Sequence, residues 1–289
     1  MNLKAVVVNW NGGEDTLAAL DSLAGIDTVC VDNGSTDGSA DAIAERFPAV
    51  DLIRAGLNLG FAGGSNVGIW RALERGADWV LLLNSDAIAE PGLAVALERA
   101  ATARPDAGLL ACVILFEDGE TVQYAGARFN ALLGYSGRQT GHGDQGIEVR
   151  MHDVDRVDGA AFAVSRAAIE RAGTLDERLF AYVEDVDWSL RIRAAGFAAV
   201  LVPDARVRHK GSASTGGSRS TANLYYDTRN TIAVAERYRP LPYGARALRR
   251  GVIVGAHLVQ AGMRGVGARA VVAGWRDARR GRLGQRSSP

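Results

Sequence analysis

Trp79-Val80-Leu81-Leu82-Leu83-Asn84-Ser85-Asp86 is an unbroken apolar run that stops abruptly in three polar residues. A run without alternation is what a strand buried on both faces requires, and such strands belong to parallel sheets covered by helices. Two upstream runs have the same form. Residues 5–8, inside a strand expected over 3–9, pass into Asn9-Trp10-Asn11-Gly12, and residues 28–31 pass into Asp32-Asn33-Gly34-Ser35-Thr36-Asp37. Residues 16–24, 39–47 and 65–75 carry apolar side chains at helical spacing, which predicts βαβ crossovers between these strands. The expected fold class is therefore α/β, a single Rossmann-like domain with a mostly parallel central sheet. With 289 residues, 47% hydrophobic and 23% charged, the chain can bury such a core.

In a parallel sheet, ligands gather in the crevice outside the carboxyl ends of the strands. Any one Asn, Asp or Ser there is what a strand-to-helix turn uses anyway. Three strands delivering carboxylates and carboxamides to one edge point instead to a polar ligand. Asp86, at the mouth of a dry central strand, would be costly without a partner. A divalent cation, Mn2+ or Mg2+, bridging it to a diphosphate would remove that cost, because hard cations take carboxylate and phosphate oxygens. The glycine-dense segment 54–66 reads as a loop leading into a helix near Ser65, whose amino end favours anions. Glu184, Asp185 and Asp187 fall at the start of a helix expected over 185–195, either as capping acids or with one of them serving as a general base. His209 borders the Gly/Ser/Thr-rich segment 210–221, read as a surface loop able to act as a lid, and could complete a metal site as a neutral imidazole.

Elsewhere, residues 108–116, 157–165 and 197–202 read as strands, a helical pattern starts at Arg166, and the polar loop 134–146 carries no evident chemistry. Cys30 and Cys112, alone and far apart, read as buried small apolar residues. The chain lacks the pattern of a secretory signal and any apolar run of roughly 18 residues, so a cytoplasmic location without a membrane span is expected. The zero net charge hides an asymmetry. From Pro240 onward there are ten Arg against the single acid Asp277, whereas residues 1–239 carry 23 basic and 32 acidic side chains.

As an ordered set, the motifs Val8-Asn9-Trp10-Asn11-Gly12, Val31 to Ser39, Asn58-Leu59-Gly60-Phe61-Ala62-Gly63-Gly64-Ser65-Asn66, Leu83-Asn84-Ser85-Asp86, Glu184-Asp185-Val186-Asp187-Trp188 and His209 are specific. Over residues 3–235 the chain resembles the family 2 glycosyltransferases of GT-A fold, in particular their bacterial rhamnosyltransferase-like branch. The resemblance implies a nucleotide-binding catalytic domain over 1–239 and a basic helical extension over 240–289. It implies that Asn9 and Asp32 contact the base or ribose, with Arg54, Asn58 and Asn66 nearby and Asn11, Asn33, Asn84, Ser85 and Glu184 completing the substrate-binding set. Asp86 corresponds to the last acid of the family's metal-binding Asp-x-Asp motif, whose first acid is replaced here by Asn84, and His209 to a further metal ligand in some members. Asp185 falls where the family keeps its catalytic base. Tyr225, Tyr226, Arg229 and Asn230 also match a pattern of this branch, without an assigned role.

The implied reaction is an inverting, metal-dependent transfer of a sugar, rhamnose by resemblance alone, from a dTDP-, UDP- or GDP-linked donor to a hydroxyl of a glycan or lipid-linked acceptor. The basic extension then suggests peripheral contact with the inner face of the cell membrane, where each Lys or Arg contributes roughly 1 kcal/mol. A solvated helical face or an oligomer contact would explain it equally. Its arginines are not interleaved with aromatic residues, which argues against nucleic acid as a partner. A dinucleotide-dependent oxidoreductase is disfavoured by the absence of G-x-G-x-x-G after the first strand, and a sugar nucleotidyltransferase by the absence there of a glycine-rich loop with Arg or Lys. A catalytically silent sugar-nucleotide-binding module is the remaining alternative, against which the presence of both Asp86 and Asp185 argues.

Overall fold

A computed structural model describes residues 1–138, 150–210, 221–264 and 267–286. The first third alternates strands and helices: β1 (Leu3–Asn9), α1 (Gly13–Ser22), β2 (Asp27–Asp32), α2 (Ser39–Arg46), β3 (Asp51–Arg54), α3 (Gly60–Glu74) and β4 (Trp79–Asn84). β1 pairs in parallel with β2 and β4, and β2 with β3, as the apolar runs predict. Then follow β5 (Ala87–Ala89), α4 (Leu93–Ala103), the fully buried β6 (Ala107–Leu115), β7 (Val122–Tyr124), the hairpin β8 (Ala127–Asn130) and β9 (Tyr135–Arg138), and β10 (His152–Asp153). β11 (Ala161–Ser165) runs against both β4 and β6. It hands over to α5 (Arg166–Ala172), whose first turn is capped by Ser165 accepting the Ala168 amide.

After α6 (Glu184–Ala194), β12 (Ala198–His209) completes a sheet of order β10-β12-β6-β11-β4-β1-β2-β3, with β5 added to β12 and β7 to β6. A register shift between Val202 and Arg206 interrupts the pairing of β12 with β6, which resumes over Arg206 to Arg208, and the same end of β12 also pairs with β5, setting His209 opposite Ala87. One apolar core fills both faces of this sheet and includes Cys30 and Cys112, whose thiols are pushed up to about 12 by burial and stay protonated.

Three helices follow: α7 (Thr221–Tyr238), α8 (Tyr243–Arg264) and α9 (Arg269–Arg279). They share two small apolar clusters, built around Leu224, Tyr225, Ala261 and Val271 and around Ile232, Ala235 and Ile253. The basic extension expected over 240–289 thus packs on α7. Among the described residues no helix is long and apolar enough to cross a membrane.

One expected boundary is corrected. The glycine-dense stretch read as a loop up to Ser65 is helix from Gly60, because its glycines serve helix-to-strand packing. A β-carbon at position 68 would lie 2.3 Å from Val6 Cγ1, and one at position 64 would lie 2.9 Å from Val8 Cγ1. Glycine weakens a helix by about 1 kcal/mol relative to alanine, and close contact with β1 offsets that loss. Of the loops singled out in the sequence, 139–146 and 211–220 lie outside the described residues, so the lid reading is not addressed.

Candidate active site

Parallel registry sets the polar strand ends side by side, Asn9 against Asp32 and Val8 against Asn84. Asn9 is fully buried and its carboxamide is wholly occupied inside the protein. Nδ2 donates to Asp32 Oδ1, Ser35 Oγ and Ser39 Oγ, while Oδ1 accepts from the Gly12 amide and the Thr16 hydroxyl. Asn9, expected to contact the nucleotide, here fixes Asp32 and the two turns. Asp32 also accepts the Ser35 amide, and Asn11, with φ 50°, accepts the Thr36 amide.

Two further expected contacts lie elsewhere. Asn66 is buried under α3, giving Nδ2 to Leu175 O and Glu177 Oε1 and accepting the Leu175 amide. Arg54 is half exposed and holds Asp41 and Ala40 O. Asn33, by contrast, reaches Asn58 Oδ1 and Gly60 O and accepts the Leu59 amide, and so ties β2 to the start of α3.

These turns form one wall of a cleft of about 1250 Å³. Trp10, Asn33, Asn58, Asn84 and Ser85 line that side; Arg156, Asp158, Glu184 and Asp185 line the other, with His209 between them. The volume exceeds the usual range for a single small ligand.

His209 meets Asp86 because β5 pairs with the end of β12. Its Nε2 lies 3.2 Å from Asp86 Oδ1, both side chains being buried. Nδ1 sits 3.0 Å from Gln123 Oε1 on β7, and in the neutral tautomer that donates there the lone pair of Nε2 faces the carboxylate. Nε2 is buried and makes no hydrogen bond. A lone pair turned toward a carboxylate is unfavourable unless a cation lies between them, so the pair fits a divalent metal, with Gln123 orienting the imidazole. Among the described residues no third His, Cys, Asp or Glu joins them, which suits a metal that takes its remaining oxygens from a substrate.

The three acids at the start of α6 separate cleanly. Asp187 is fully buried in ion pairs with Arg191 and Arg237 and accepts the Tyr238 hydroxyl, so it holds structure. Asp185 is aimed by the Gly159 amide at 2.9 Å on Oδ2 and the Val186 amide at 2.8 Å on Oδ1, with Arg156 Nη1 3.5 Å from Oδ2. Glu184 has its carboxyl pushed well above the ordinary range by burial first and then by the adjacent charge of Asp185, with Asp158 and Asp227 adding to it.

The approach to α6 is strained. Phe180, Tyr182 and Val183 have φ of 65°, 67° and 71°, a region costly for non-glycine residues and most so for a β-branched one. What holds it is the quartet without an assigned role. Asn230 Nδ2 reaches Leu179 O, Ala181 O and Tyr182 O at 2.9, 2.9 and 2.7 Å. Arg229, fully buried, donates to Leu179 O, Asn230 Oδ1 and Gly284 O and lies over the rings of Tyr225 and Tyr226. Tyr226 in turn stacks on Phe180. Gln123, Arg156, Asp158 and Gly159 carried no local signal, and the quartet of α7 stood out in the sequence without a role, since each acts through contacts made by the tertiary fold.

A family model described as glycosyltransferase like family 2 matches residues 2–229. The chain belongs to glycosyltransferase family 2. This family 2 glycosyltransferase is 32% identical over 291 aligned positions, covering 89% of this chain and 94% of the relative, to the N-acetylglucosaminyl-diphospho-decaprenol L-rhamnosyltransferase of Mycobacterium tuberculosis. It is 27% identical to the dTDP-rhamnosyl transferase RfbF of Shigella flexneri, with 72% of this chain and 69% of that protein covered. Its fold superposes on GalNAc-T7, solved with UDP, GalNAc and Mn2+, with a TM-score of 0.61 at 16% identity. That alignment covers 89% of this chain and about half, 54%, of the longer one. The enzyme is thus a glycosyltransferase of GT-A fold similar to bacterial rhamnosyltransferases.

Proposed function

We propose that this glycosyltransferase moves rhamnose from dTDP-rhamnose, with inversion at the anomeric carbon, to a hydroxyl of a lipid-linked glycan at the inner face of the cell membrane. The observation that carries the mechanism is a carboxylate aimed by two amides, Asp185, in the same cleft as the Asp86–His209 pair. Asp185 accepts the proton of the acceptor hydroxyl, whose oxygen bonds to the anomeric carbon as the bond to the nucleoside diphosphate breaks on the opposite face. Arg156 and the Gly159 and Val186 amides hold Asp185 oriented before transfer. Glu184, whose carboxyl burial pushes toward its protonated form, serves as a hydrogen-bond donor to sugar or acceptor. Trp10, Asn33, Asn58, Asn84 and Ser85 hold the donor. Asp86 and His209 would hold Mn2+ or Mg2+, which supplies charge neutralisation for the departing diphosphate.

The rhamnosyl assignment is supported by both relatives, the thymidine by the Shigella flexneri protein alone, and the metal by the buried unbonded Nε2. Thermal stabilisation of the purified protein by dTDP, UDP and GDP, each with and without Mn2+ or Mg2+, tests the donor site, because a ligand that binds only the folded state raises the melting temperature. The expected result is a metal-dependent shift largest with dTDP, whose metal-dependent part disappears in His209→Ala. Equal shifts with and without metal would contradict the pair's assignment, and a larger shift with UDP or GDP would reassign the base.

A further inference from the structure

Helix α8 has its polarity reversed relative to a helix that covers a protein and faces water. Arg246 is turned in to Leu241 O, Arg249 is buried against Arg239 O, and Arg250 is paired with Glu236. His257 pairs with Asp227 and Gln260 lines the cleft. Every side chain of α8 described as exposed is Gly, Ala, Leu, Val, Met or Tyr. Leu248, Val252, Val259 and Met263 fall at spacings of four, seven and four, which is one stripe of a helix. Leu248 is 72% exposed, Val259 65% and Met263 84%. Tyr243, also 84% exposed, opens the helix. The turn between β8 and β9, which reaches α8 through Gly134 against Ile253 and Ala131 O against Arg249, adds the half-exposed Leu132 and Leu133.

We propose that this face of α8 is a membrane-docking surface whose occupant is an anionic lipid bilayer. An uncharged face on a helix that cannot span a membrane has the form of an interfacial helix lying in the plane of the headgroups, with an aromatic side chain at its end. Charge argues for anionic lipid: the segment from Pro240 has ten Arg and one acid, and Arg276, Arg279, Arg280 and Arg282 are exposed on and just after α9. Continuity argues for function. Val259 and Met263 belong both to the stripe and to the cleft wall, so the lipid-facing surface runs into the site. A bilayer on this face brings a lipid-linked acceptor to Asp185 along the surface that anchors it. The purpose, though not the docking, rests on the acceptor reading given above. Arg246, Arg249 and Arg250 of α8 serve the fold, so the anchor is apolar insertion assisted by the arginines of α9 and the segment following it.

The test is flotation of the full-length protein with phosphatidylcholine vesicles and with equimolar phosphatidylcholine–phosphatidylglycerol vesicles, at low and high salt. The comparison is Leu248→Ser/Val252→Ser, two exposed positions outside the cleft. The wild type is expected to float with the anionic vesicles and to keep part of that binding at high salt. The variant is expected to bind on the order of tenfold more weakly, as loss of two inserted side chains implies, with unchanged melting temperature and unchanged transfer to a water-soluble acceptor. Failure of the wild type to float, or equal flotation of the variant, would overturn the proposal. So would a wild-type dimer in solution that the variant abolishes, which would give the face to a second copy. Transfer to the water-soluble acceptor reads the catalytic assignment separately, so loss of one result leaves the other interpretable.

Discussion

At the scale of residues, the site is defined by which polar atoms the protein leaves for a ligand. Asn9 and Asn66 look like ligand contacts in the sequence, yet every polar atom of their carboxamides is used by neighbouring turns. Glu184 is the reverse case, a buried acid with one oxygen lacking any hydrogen bond. Its raised pKa makes a testable sign. As pH rises past the ordinary carboxylate range, the unfolded chain loses a proton that the folded protein keeps, so stability falls with rising pH until the folded group titrates. Glu184→Gln removes this dependence, and its melting temperature should gain on that of the wild type from acid to neutral pH. A difference that does not change with pH would show that Glu184 is ionised in the fold. Asp86, Asp185 and His209 were legible because a strand end, a helix start and a family motif fix their places. The inward use of Asn9 and Asn66 was not, since residue type does not reveal which way a carboxamide faces.

At the scale of elements, two helices carry the site by close packing and by clamping. Gly68→Ala in α3 adds a methyl group where Val6 Cγ1 is 2.3 Å away and should cost about 1–3 kcal/mol in denaturant unfolding. A neutral outcome would mean that α3 can lift from β1 freely. Asn230→Ala in α7 frees three carbonyls of the strained segment before α6. It should destabilise the fold by about 1–3 kcal/mol and lower kcat more than it raises the donor KM, because Asp185 loses its fixed approach. A loss of stability with kcat intact would make the clamp purely structural. The βαβ elements could be read from apolar runs. The start of α3 could not, because four glycines within nine residues imitate a loop unless the strand they pack against is known. The positive φ at Val183 was equally illegible, since β-branched residues ordinarily avoid it and it is held by contacts with distant residues such as Asn230 and Arg229.

At the scale of the whole molecule, sheet topology assembles the chemistry. Asp86 and His209 are 123 positions apart and meet because the end of β12, still paired with β6 after its register shift, also pairs with β5. Asp185 reaches the same cleft because β11 runs backward and delivers Gly159 to the edge where β4 ends. The parallel half of the sheet followed from its apolar runs, but the reversed strand and the bulge depend on long-range pairing that no local pattern encodes. The C-terminal helices close the cleft on its third side and hold the strained approach to α6, which ties their packing to catalysis. The measurement that bears most directly on this account is sugar transfer by the purified protein from dTDP-rhamnose to an N-acetylglucosaminyl-diphosphate acceptor with Mn2+. It compares wild type with Asp185→Asn, with donor affinity measured alongside. The account predicts a product of inverted anomeric configuration from the wild type and a loss of about 10²- to 10⁴-fold in kcat with donor affinity retained in the variant. Turnover by Asp185→Asn at the wild-type rate would contradict it.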